Sequence, residues 1–471
     1  MRLHFTPPRR LARAHSYRKS LSTFAECALA ATLPLSALKG RVSALRRSPC
    51  PFLKKLANKG EPMSPCRRHR RTYLAGSIQT FGGQAVERKI LGSLFAKPAP
   101  EPGNPVTNLP EQPRFQPLPH VARPDFSLPL ERILRGVTEE AEKAGAMVFH
   151  ALGDTGGIHG AETQNAVAAA MQDQIARAEK SERPRFLFHL GDIVYLSGAS
   201  SQYVAQFYEP YQYYDAPIFA IPGNHDGETA VESHGEREPE PSLSGFMQNF
   251  CSPAPKRFFK YRSTMTQPYC YWKLEAPFVH IIGLYSNIDG QLDRRGDRRQ
   301  QDWLTEQLRA TPQDKWLVVA AHHPCFSLDE THGGYVEILA AMDAAFASAG
   351  RIPDAVLSGH VHSYQRFSRD FQERSTPYVI AGAGGFANSS RSLHKLQRGL
   401  AIERLPFRTT LPEVRLESFD VLNAGFLTVT ARPETLRIDY FPVSFDDPPA
   451  VSGNAGDFVV VRSAGRVKTA R

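Results

Sequence analysis

The apolar residues of this chain fall into short runs that alternate with stretches of helical spacing. One run covers residues 147–152, apolar positions then recur every four residues at Val167, Met171 and Ile175, and a second run covers residues 186–190. Short runs bounded by turn residues predict buried strands, whereas the four-residue spacing predicts one buried face of a helix. Strands that alternate with helices in this way are typical of an α/β fold.

The rest of the chain continues this alternation and sets the limits of one large domain. A helix that ends in a glycine is predicted over residues 130–145. Further strands are predicted at residues 218–221, 279–284, 316–321, 355–358 and 378–381. Residues 425–430 and 435–441 alternate between apolar and polar positions, which predicts a closing antiparallel pair. We therefore expect a domain over residues 130–445, followed by a tail over residues 446–471.

Charge is distributed unevenly along the 471 residues, of which 41% are hydrophobic and whose formal net charge is +10. Residues 1–75 contain 17 Lys and Arg against only Glu26 and Glu61, so the remainder of the chain carries a net charge of about −5. Because this basic stretch lacks sustained apolar periodicity, we expect residues 1–96 to form a disordered segment. Its basic clusters lack interleaved aromatic residues, so no specific nucleic-acid binding is predicted.

A short apolar stretch inside the basic segment resembles an export signal. Residues 27–38 form an apolar core behind a basic stretch, and residues 42–44 offer small side chains for cleavage. Pro34 inside the apolar core and two basic residues between the core and the cleavage site argue against an export signal. If translation starts at Met63, the protein lacks this stretch altogether. The sequence therefore leaves a periplasmic or secreted location and a cytoplasmic one both open. No stretch reaches the roughly 18 apolar residues that a transmembrane helix needs.

Residues 97–129 are rich in proline, with ten prolines in 33 positions. Such a composition favours extended, stiff chain over helices and sheets. We predict that this stretch is an extended linker or a strap across the surface of the domain that follows.

Polar side chains cluster directly after the apolar runs of the domain. They form five motifs: Gly153-Asp154-Thr155-Gly156, Gly191-Asp192-Ile193-Val194-Tyr195, Gly223-Asn224-His225-Asp226, Val319-Ala320-Ala321-His322 and Gly359-His360-Val361-His362. Because open α/β sheets bind ligands beyond the carboxyl ends of their strands, we expect the motifs to share one site. Their candidate metal ligands are Asp154, Asp192, Tyr195, Asn224, His322, His360 and His362.

The chemistry of these candidate ligands favours two hard or borderline metal ions. All are oxygen or imidazole donors without a thiolate, a set that suits Fe, Mn and Zn and argues against a structural cysteine zinc site. Asp192 is the natural carboxylate to bridge two ions, which about 3.5–4 Å apart can clamp a phosphate and activate a water. One trivalent and one divalent ion would leave net positive charge, which favours an anionic substrate. The residues thus indicate a phosphate-ester hydrolase.

The five motifs, in this order, resemble those of the purple acid phosphatases, within the calcineurin-like metallophosphoesterases. The resemblance covers residues 145–390. The wider superfamily usually has a histidine in the first motif where this chain has Gly156, whereas the purple branch uses the tyrosine of the second motif, matched here by Tyr195. The resemblance implies an α/β fold of two sheets in a sandwich flanked by helices. It also implies a single-domain form, since residues before 130 do not read as the β-sandwich domain of plant members.

The resemblance also assigns roles to individual residues. It implies an Fe(III) site formed by Asp154, Asp192, Tyr195 and His362. It implies a second site, for divalent Fe, Zn or Mn, formed by Asp192, Asn224, His322 and His360. His225 resembles the family's proton donor to the leaving group, and His332 resembles a histidine of the substrate pocket.

Three functions remain open after these assignments. Hydrolysis of small phosphate monoesters by an acid phosphatase is favoured. A phosphodiesterase or nucleotide hydrolase could use the same metal centre, because the metal ligands do not select between monoesters and diesters. A binding protein without catalysis is less favoured because every ligand position is occupied. The sequence leaves the oligomeric state open.

The other histidines give weaker signals. His189 lies within an apolar run and is predicted to be a hydrogen-bonded strand residue. His159 and His323 are close in sequence to ligands, but no pattern shows their direction. The remaining candidates are predicted to be structural or surface residues, namely His150, His234, His280 and His394.

Overall fold

The computed structural model describes residues 101–108, 110, 113–120, 126–157, 160–229, 240–257, 262–386, 393–445 and 455–463. They all belong to one compact unit, Phe95–Arg471. The basic segment and its export-like stretch lie outside the described residues. Within the described residues, every helix is too short or too polar to cross a membrane.

The strands are β1 (Val106–Thr107), β2 (Ser127–Pro129), β3 (Met147–Leu152), β4 (Leu187–His189), β5 (Ile218–Ala220), β6 (Trp272–Glu275), β7 (Val279–Leu284), β8 (Trp316–Ala321), β9 (Gly334–Tyr335), β10 (Ala355–Ser358), β11 (Tyr364–Phe371), β12 (Arg374–Ala381), β13 (Phe407–Arg408), β14 (Val414–Asp420), β15 (Ala424–Ala431), β16 (Thr435–Val443) and β17 (Asp457–Arg462). The α-helices are α1 (Val137–Ala144), α2 (Glu162–Arg177), α3 (Asn224–Gly227), α4 (Ser244–Phe250), α5 (Arg299–Ala310) and α6 (Val336–Ala349). Shorter helical turns cover Leu130–Arg132, Ser200–Gln202 and Val204–Tyr208. The predicted strands and the helix that contains Met171 are confirmed, most with ends shifted by a few residues. The helix predicted over residues 130–145 is instead a short turn, Leu130–Arg132, followed by the helix α1, Val137–Ala144.

Two main sheets form the body of the unit. The six-stranded sheet has the order β17-β16-β15-β3-β4-β5, with β3, β4 and β5 parallel and the C-terminal strands antiparallel. The predicted antiparallel pair is confirmed as β15 and β16. The nine-stranded sheet has the order β13-β14-β11-β12-β10-β8-β7-β6-β2, with parallel strands at its centre.

The inner faces of the two sheets pack against each other and form the main core. Side chains such as Phe149 and Phe188 from one sheet share a buried cluster with Trp272, Ile281 and Val318 from the other. A second apolar cluster packs α2 and α4 on the outer face of the six-stranded sheet. A third packs α5 and α6 on the outer face of the nine-stranded sheet. The predicted two-sheet sandwich flanked by helices is confirmed.

Strands also occur in the stretches predicted to be linker and tail. Residues 127–129 pair in parallel with β6 as an edge strand, a position that tolerates Pro129 because its missing N–H is not needed by a neighbour. Residues 457–462 form β17, which pairs with β16 along its full length. Both strands are short and sit at sheet edges, and β2 pairs with a strand more than 140 residues later in the chain, which a local pattern does not reveal.

The proline-rich stretch also contacts the domain before β2. The short strand β1 pairs in parallel with β9, and the Pro105 carbonyl accepts hydrogen bonds from the N–H groups of Ser327 and Gly334. Arg114 donates to both Asp289 and Glu228. The described part of this stretch therefore runs along the surface of the domain, and we call residues 101–120 the strap.

Trp272 tests the packing between the sheets. Its fully buried ring in β6 lies 5.9 Å from Phe188 and 5.6 Å from Phe219, and its Nε1 donates to the Ala220 carbonyl. We expect Trp272→Ala to lower the free energy of unfolding by about 3–5 kcal/mol, the usual cost of removing a buried aromatic side chain. Urea unfolding followed by circular dichroism measures this change.

Leu422, which is 76% exposed, provides the control for that measurement. Leu422→Ala should change stability by no more than about 0.5 kcal/mol, as is usual for surface substitutions. Equal, small effects of the two substitutions would contradict the view that packing between the sheets holds the domain together.

Candidate active site

The five motifs meet at one edge of the sandwich. Asp154, Asp192 and Asn224 follow the parallel strands β3, β4 and β5 of the six-stranded sheet. His322 and His360 follow β8 and β10 of the nine-stranded sheet. The strand ends of both sheets, and the polar side chains that follow them, thus lie at the same edge of the sandwich.

The backbone at the site takes conformations that cost free energy. Asp154, Asp192 and His360 have φ angles of 60°, 51° and 68°, a region that non-glycine residues seldom adopt. Each such residue costs about 1–3 kcal/mol and persists only where the surroundings hold it. Gly223 permits close approach instead, since a Cβ there would lie 2.1 Å from Asp192 Oδ1. The ligand loops are therefore held in fixed, strained shapes.

One group of donors forms around Asp154. The Tyr195 hydroxyl lies 3.2 Å from Asp154 Oδ1 and 3.2 Å from His362 Nε2, and His362 Nε2 lies 3.4 Å from the same carboxylate oxygen. Donors bound to one ion at about 2.0–2.2 Å stand about 3 Å from one another. Asp154, Tyr195 and His362, which the sequence assigns together with Asp192 to the first metal position, thus lie close together.

A second group forms around Asn224. Its Oδ1 lies 3.2 Å from His322 Nε2 and 3.0 Å from His360 Nδ1. Asp192 Oδ2 lies 3.3 Å from His322 Nε2, and ligand atoms of Asp192, His322 and His360 all lie within 4.8 Å of one another. Together with burial, Asp192 also raises the pKa of the Tyr195 hydroxyl in the first group, so this carboxylate acts on both groups, as a bridging ligand would.

Hydrogen bonds behind the histidines select the ring nitrogens that face the site. His322 Nδ1 donates to the Leu190 carbonyl at 2.8 Å, which leaves Nε2 as the free acceptor. His360 Nε2 is 2.7 Å from the Tyr335 hydroxyl, which leaves Nδ1 to face Asn224. Such partners fix the ring orientation and the tautomer of metal-binding histidines in general.

The electrostatics of the site fit a cation. Asp154, Asp192 and Tyr195 are almost wholly buried, and among the described residues no Lys or Arg forms an ion pair with either carboxylate. Burial raises the pKa of Asp154 to about 7, and burial together with the two carboxylates raises the pKa of Tyr195 well above its ordinary value. Burial also acts to raise the pKa of Asp192, but His322 and His225 bring it below its usual range. These residues fit metal ions, which would supply the missing positive charge.

His225 lies beside the donor groups with its ring held in place. Its N–H donates to Asp192 Oδ1 at 2.9 Å, and its Nδ1 donates to the Leu196 carbonyl at 2.9 Å. Burial alone would lower the pKa of His225, but Asp192, Glu228 and the Leu196 carbonyl raise it to about 9. With Nδ1 occupied, Nε2 is the nitrogen available to a substrate.

His332 is also brought to the site. Its ring centroid lies 4.4 Å from that of His360. Its N–H donates to Asp329, a buried carboxylate that also accepts from the N–H groups of Thr331 and Gly333. Asp329 therefore fixes the loop that carries His332. All nine residues predicted from sequence for the site, metal ligands and catalytic histidines alike, lie together.

Several supporting residues were missed by sequence analysis. Buried Asp226 accepts hydrogen bonds from the N–H groups of Ile193, Val194 and Gly223, and so ties the second motif to the third. The position of Asp226 in the third motif could have identified it from the sequence. No motif contains Tyr335, which only the folded chain brings into contact with His360.

The other histidines divide as follows. His189 is confirmed as a buried strand residue, with its ring bonded to Thr155 and Gly191. His150 is buried in the six-stranded sheet, as predicted for a structural residue. His394 was predicted to be a structural or surface residue, but its ring stacks on that of the site residue His362. His159 and His234 lie outside the described residues.

Part of the chain is similar in sequence to known phosphoesterases. A family model described as calcineurin-like phosphoesterase matches residues 147–364. Tartrate-resistant acid phosphatase type 5 of Homo sapiens is 28% identical over 261 residues, covering 52% of this chain and 75% of that protein. Purple acid phosphatase 22 of Arabidopsis thaliana is 32% identical over 127 residues, covering 24% of this chain and 27% of that protein. A purple acid phosphatase from yellow lupin (Lupinus luteus) seeds aligns with a TM-score of 0.47 and 17% identity, covering 67% of this chain and 54% of that one.

The family match begins at the first residue of β3 and includes all five motifs. Acid phosphatases are among the relatives that align with more than half of the chain. Over residues 147–364 the chain thus matches the calcineurin-like phosphoesterase family, and its similarity to acid phosphatases supports a purple acid phosphatase-like hydrolase.

Proposed function

We propose that this hydrolase cleaves small phosphate monoesters with the aid of two metal ions, Fe(III) and a divalent Fe, Zn or Mn ion. The observation that carries the proposal is the convergence of seven oxygen and imidazole donors on two adjoining positions that share Asp192. Their burial without a Lys or Arg partner supports the presence of cations at both positions.

The residues divide between the two positions. Asp154, Tyr195 and His362 would hold one ion, Asn224, His322 and His360 would hold the other, and Asp192 would bridge them. When bound, the two ions would supply charge to orient the phosphate and a water activated for in-line attack. The Leu190 and Tyr335 contacts keep the imidazoles aimed at these positions.

His225 is proposed to protonate the leaving oxygen of the ester. The Leu196 carbonyl holds Nδ1, and the Asp192 carboxylate holds the backbone of the same residue. Because Nδ1 already donates to that carbonyl, Nε2 carries a proton in the imidazolium form, which the pKa of about 9 favours. The imidazolium Nε2–H can transfer its proton to the departing alkoxide and leave a neutral ring with its proton on Nδ1. His332 is proposed to contact the substrate phosphate from the opposite loop, which Asp329 fixes.

The substrate class and the role of the metals can be tested together. The metal-loaded full chain should release phosphate from nitrophenyl phosphate faster than nitrophenol from bis(nitrophenyl) phosphate, and should contain about two metal ions per chain. Asp192→Asn should abolish activity and lower the metal content, because the amide cannot bridge two cations as a carboxylate does. Steady-state kinetics and elemental analysis measure these quantities.

Asp173→Asn is a suitable control, since this exposed carboxylate pairs with Arg177 on the surface of α2 and with no other residue that the structure describes. The control should match the parent protein in both measurements. Faster turnover of the diester would replace the monoesterase proposal with a phosphodiesterase. Full activity of Asp192→Asn would contradict a shared bridging ligand.

The role of His225 predicts a dependence on the leaving group. His225→Ala should retain both metals and lose about 10²–10⁴-fold in kcat for alkyl phosphates, the usual scale of general-acid catalysis. The loss should be smaller for nitrophenyl phosphate, because nitrophenolate leaves without protonation. A loss of equal size for both kinds of ester would assign His225 another role.

Tyr195 predicts a colour. A phenolate bound to Fe(III) absorbs in the visible through charge transfer, so the oxidised, iron-loaded protein should be pink or purple. Tyr195→Phe retains the ring, which packs 4.2 Å from Phe386 by centroids, but removes the oxygen donor. The visible band should vanish while the circular dichroism spectrum is retained. A colourless parent protein that is active with Mn or Zn would contradict iron at this position.

A further inference from the structure

His394 lies outside the five motifs, yet its ring is part of the wall of the site. Its imidazole stacks on that of His362 with centroids 4.3 Å apart and planes 10° from parallel. The same ring lies 4.9 Å from that of His332. His394 thus contacts both a proposed metal ligand and a proposed substrate-binding histidine.

Two backbone hydrogen bonds hold His394 in this position. The His394 N–H donates to the His362 carbonyl at 2.9 Å, and the His362 N–H donates to His394 Nδ1 at 3.0 Å. Because a backbone N–H can only donate, Nδ1 must act as the acceptor, and a neutral imidazole then carries its proton on Nε2. The geometry therefore fixes the tautomer as well as the orientation of the ring.

The Nε2–H of His394 remains available. It has no hydrogen-bond partner among the residues that the structure describes, and 19% of the side chain is exposed. The loop around it is anchored, since the Lys395 carbonyl accepts from the Glu330 N–H and the Gln397 N–H donates to the Leu328 carbonyl. A donor that is fixed, unused and adjacent to His362 and His332 is prepared for an external acceptor.

We propose that His394 is a substrate-binding residue whose Nε2–H donates to a non-bridging oxygen of the phosphate. This inference rests on the proposed function, because it places the phosphate over His362 and His332. A neutral donor binds an anionic oxygen without adding a charge that would repel the metal ions. The hydrogen bond to His362 is the second task of the same ring, and it positions that proposed ligand.

Two isosteric substitutions separate these tasks. His394→Asn keeps an oxygen acceptor where Nδ1 lies but lacks the Nε2 donor, whereas His394→Gln can place an amide N–H near Nε2 but loses the Nδ1 acceptor. We expect His394→Asn to keep the metal content and the visible band of the parent while the Kd for inorganic phosphate and the KM for nitrophenyl phosphate rise. The rise should be about 10–100-fold, the range for losing one hydrogen bond to a charged group.

His394→Gln should give the opposite pattern. Its phosphate Kd should stay within a few-fold of the parent value, while its visible band shifts because the His362 ring has lost a neighbour. Lys395→Gln, a change in the exposed adjacent residue, should match the parent in every measurement. Calorimetry with inorganic phosphate on the metal-loaded full chain, together with absorption spectra and kinetics, provides these values.

The outcomes are distinguishable. Unchanged phosphate binding in His394→Asn overturns the inference and leaves the proposed function intact. Loss of metal and activity in both variants together also overturns it, since His394 would then be structural only. A parent protein that binds phosphate but hydrolyses no monoester would overturn the proposed function, while weakened phosphate binding in His394→Asn would still support the role of His394.

Discussion

Two buried carboxylates and a buried phenol, placed beside histidines but without a described Lys or Arg partner, are the constraint on which the site depends. Placing Asp154 and Asp192 in this position removes them from water, and no described Lys or Arg forms an ion pair with them. Burial of an uncompensated charge is so costly that such groups either take up protons or bind a cation. The protons or metal ions that neutralise these side chains therefore affect both the stability of the protein and the chemistry of the site.

The sandwich explains how this arrangement can exist. Strained turns at Asp154, Asp192 and His360 are supported by the rigid, apolar strands that precede them, and Asp226 joins two of the ligand loops through their N–H groups. Because each donor group combines ligands from both sheets, packing between the sheets sets the distances between the donors within each group. A core such as that around Trp272 therefore contributes to the geometry of the site as well as to the stability of the domain.

The sequence predicted those features whose signal is local. The strands of the parallel core are continuous apolar runs, and each metal ligand follows its strand within a few residues, so motif and strand could be recognised together. Strand β11, which mixes apolar and polar residues and so lacks a continuous apolar run, and strand β17 in the expected tail were not predicted. His394 was likewise assigned to the surface or the scaffold, because only the folded chain brings it back to His362.

The strap changes where the functional unit begins. The family match starts at residue 147, but the backbone of β1 supports β9, and β9 carries Tyr335, whose hydroxyl touches His360. At the other end of the strap, Arg114 holds Glu228, which in turn lies 3.5 Å from His225 Nδ1. A fragment trimmed to the matched span would retain every proposed metal ligand and yet lose supports on both sides of the site. Insertions or deletions in the strap would thus alter the enzyme as directly as changes inside its motifs. The strap nevertheless lies some forty residues before the first motif.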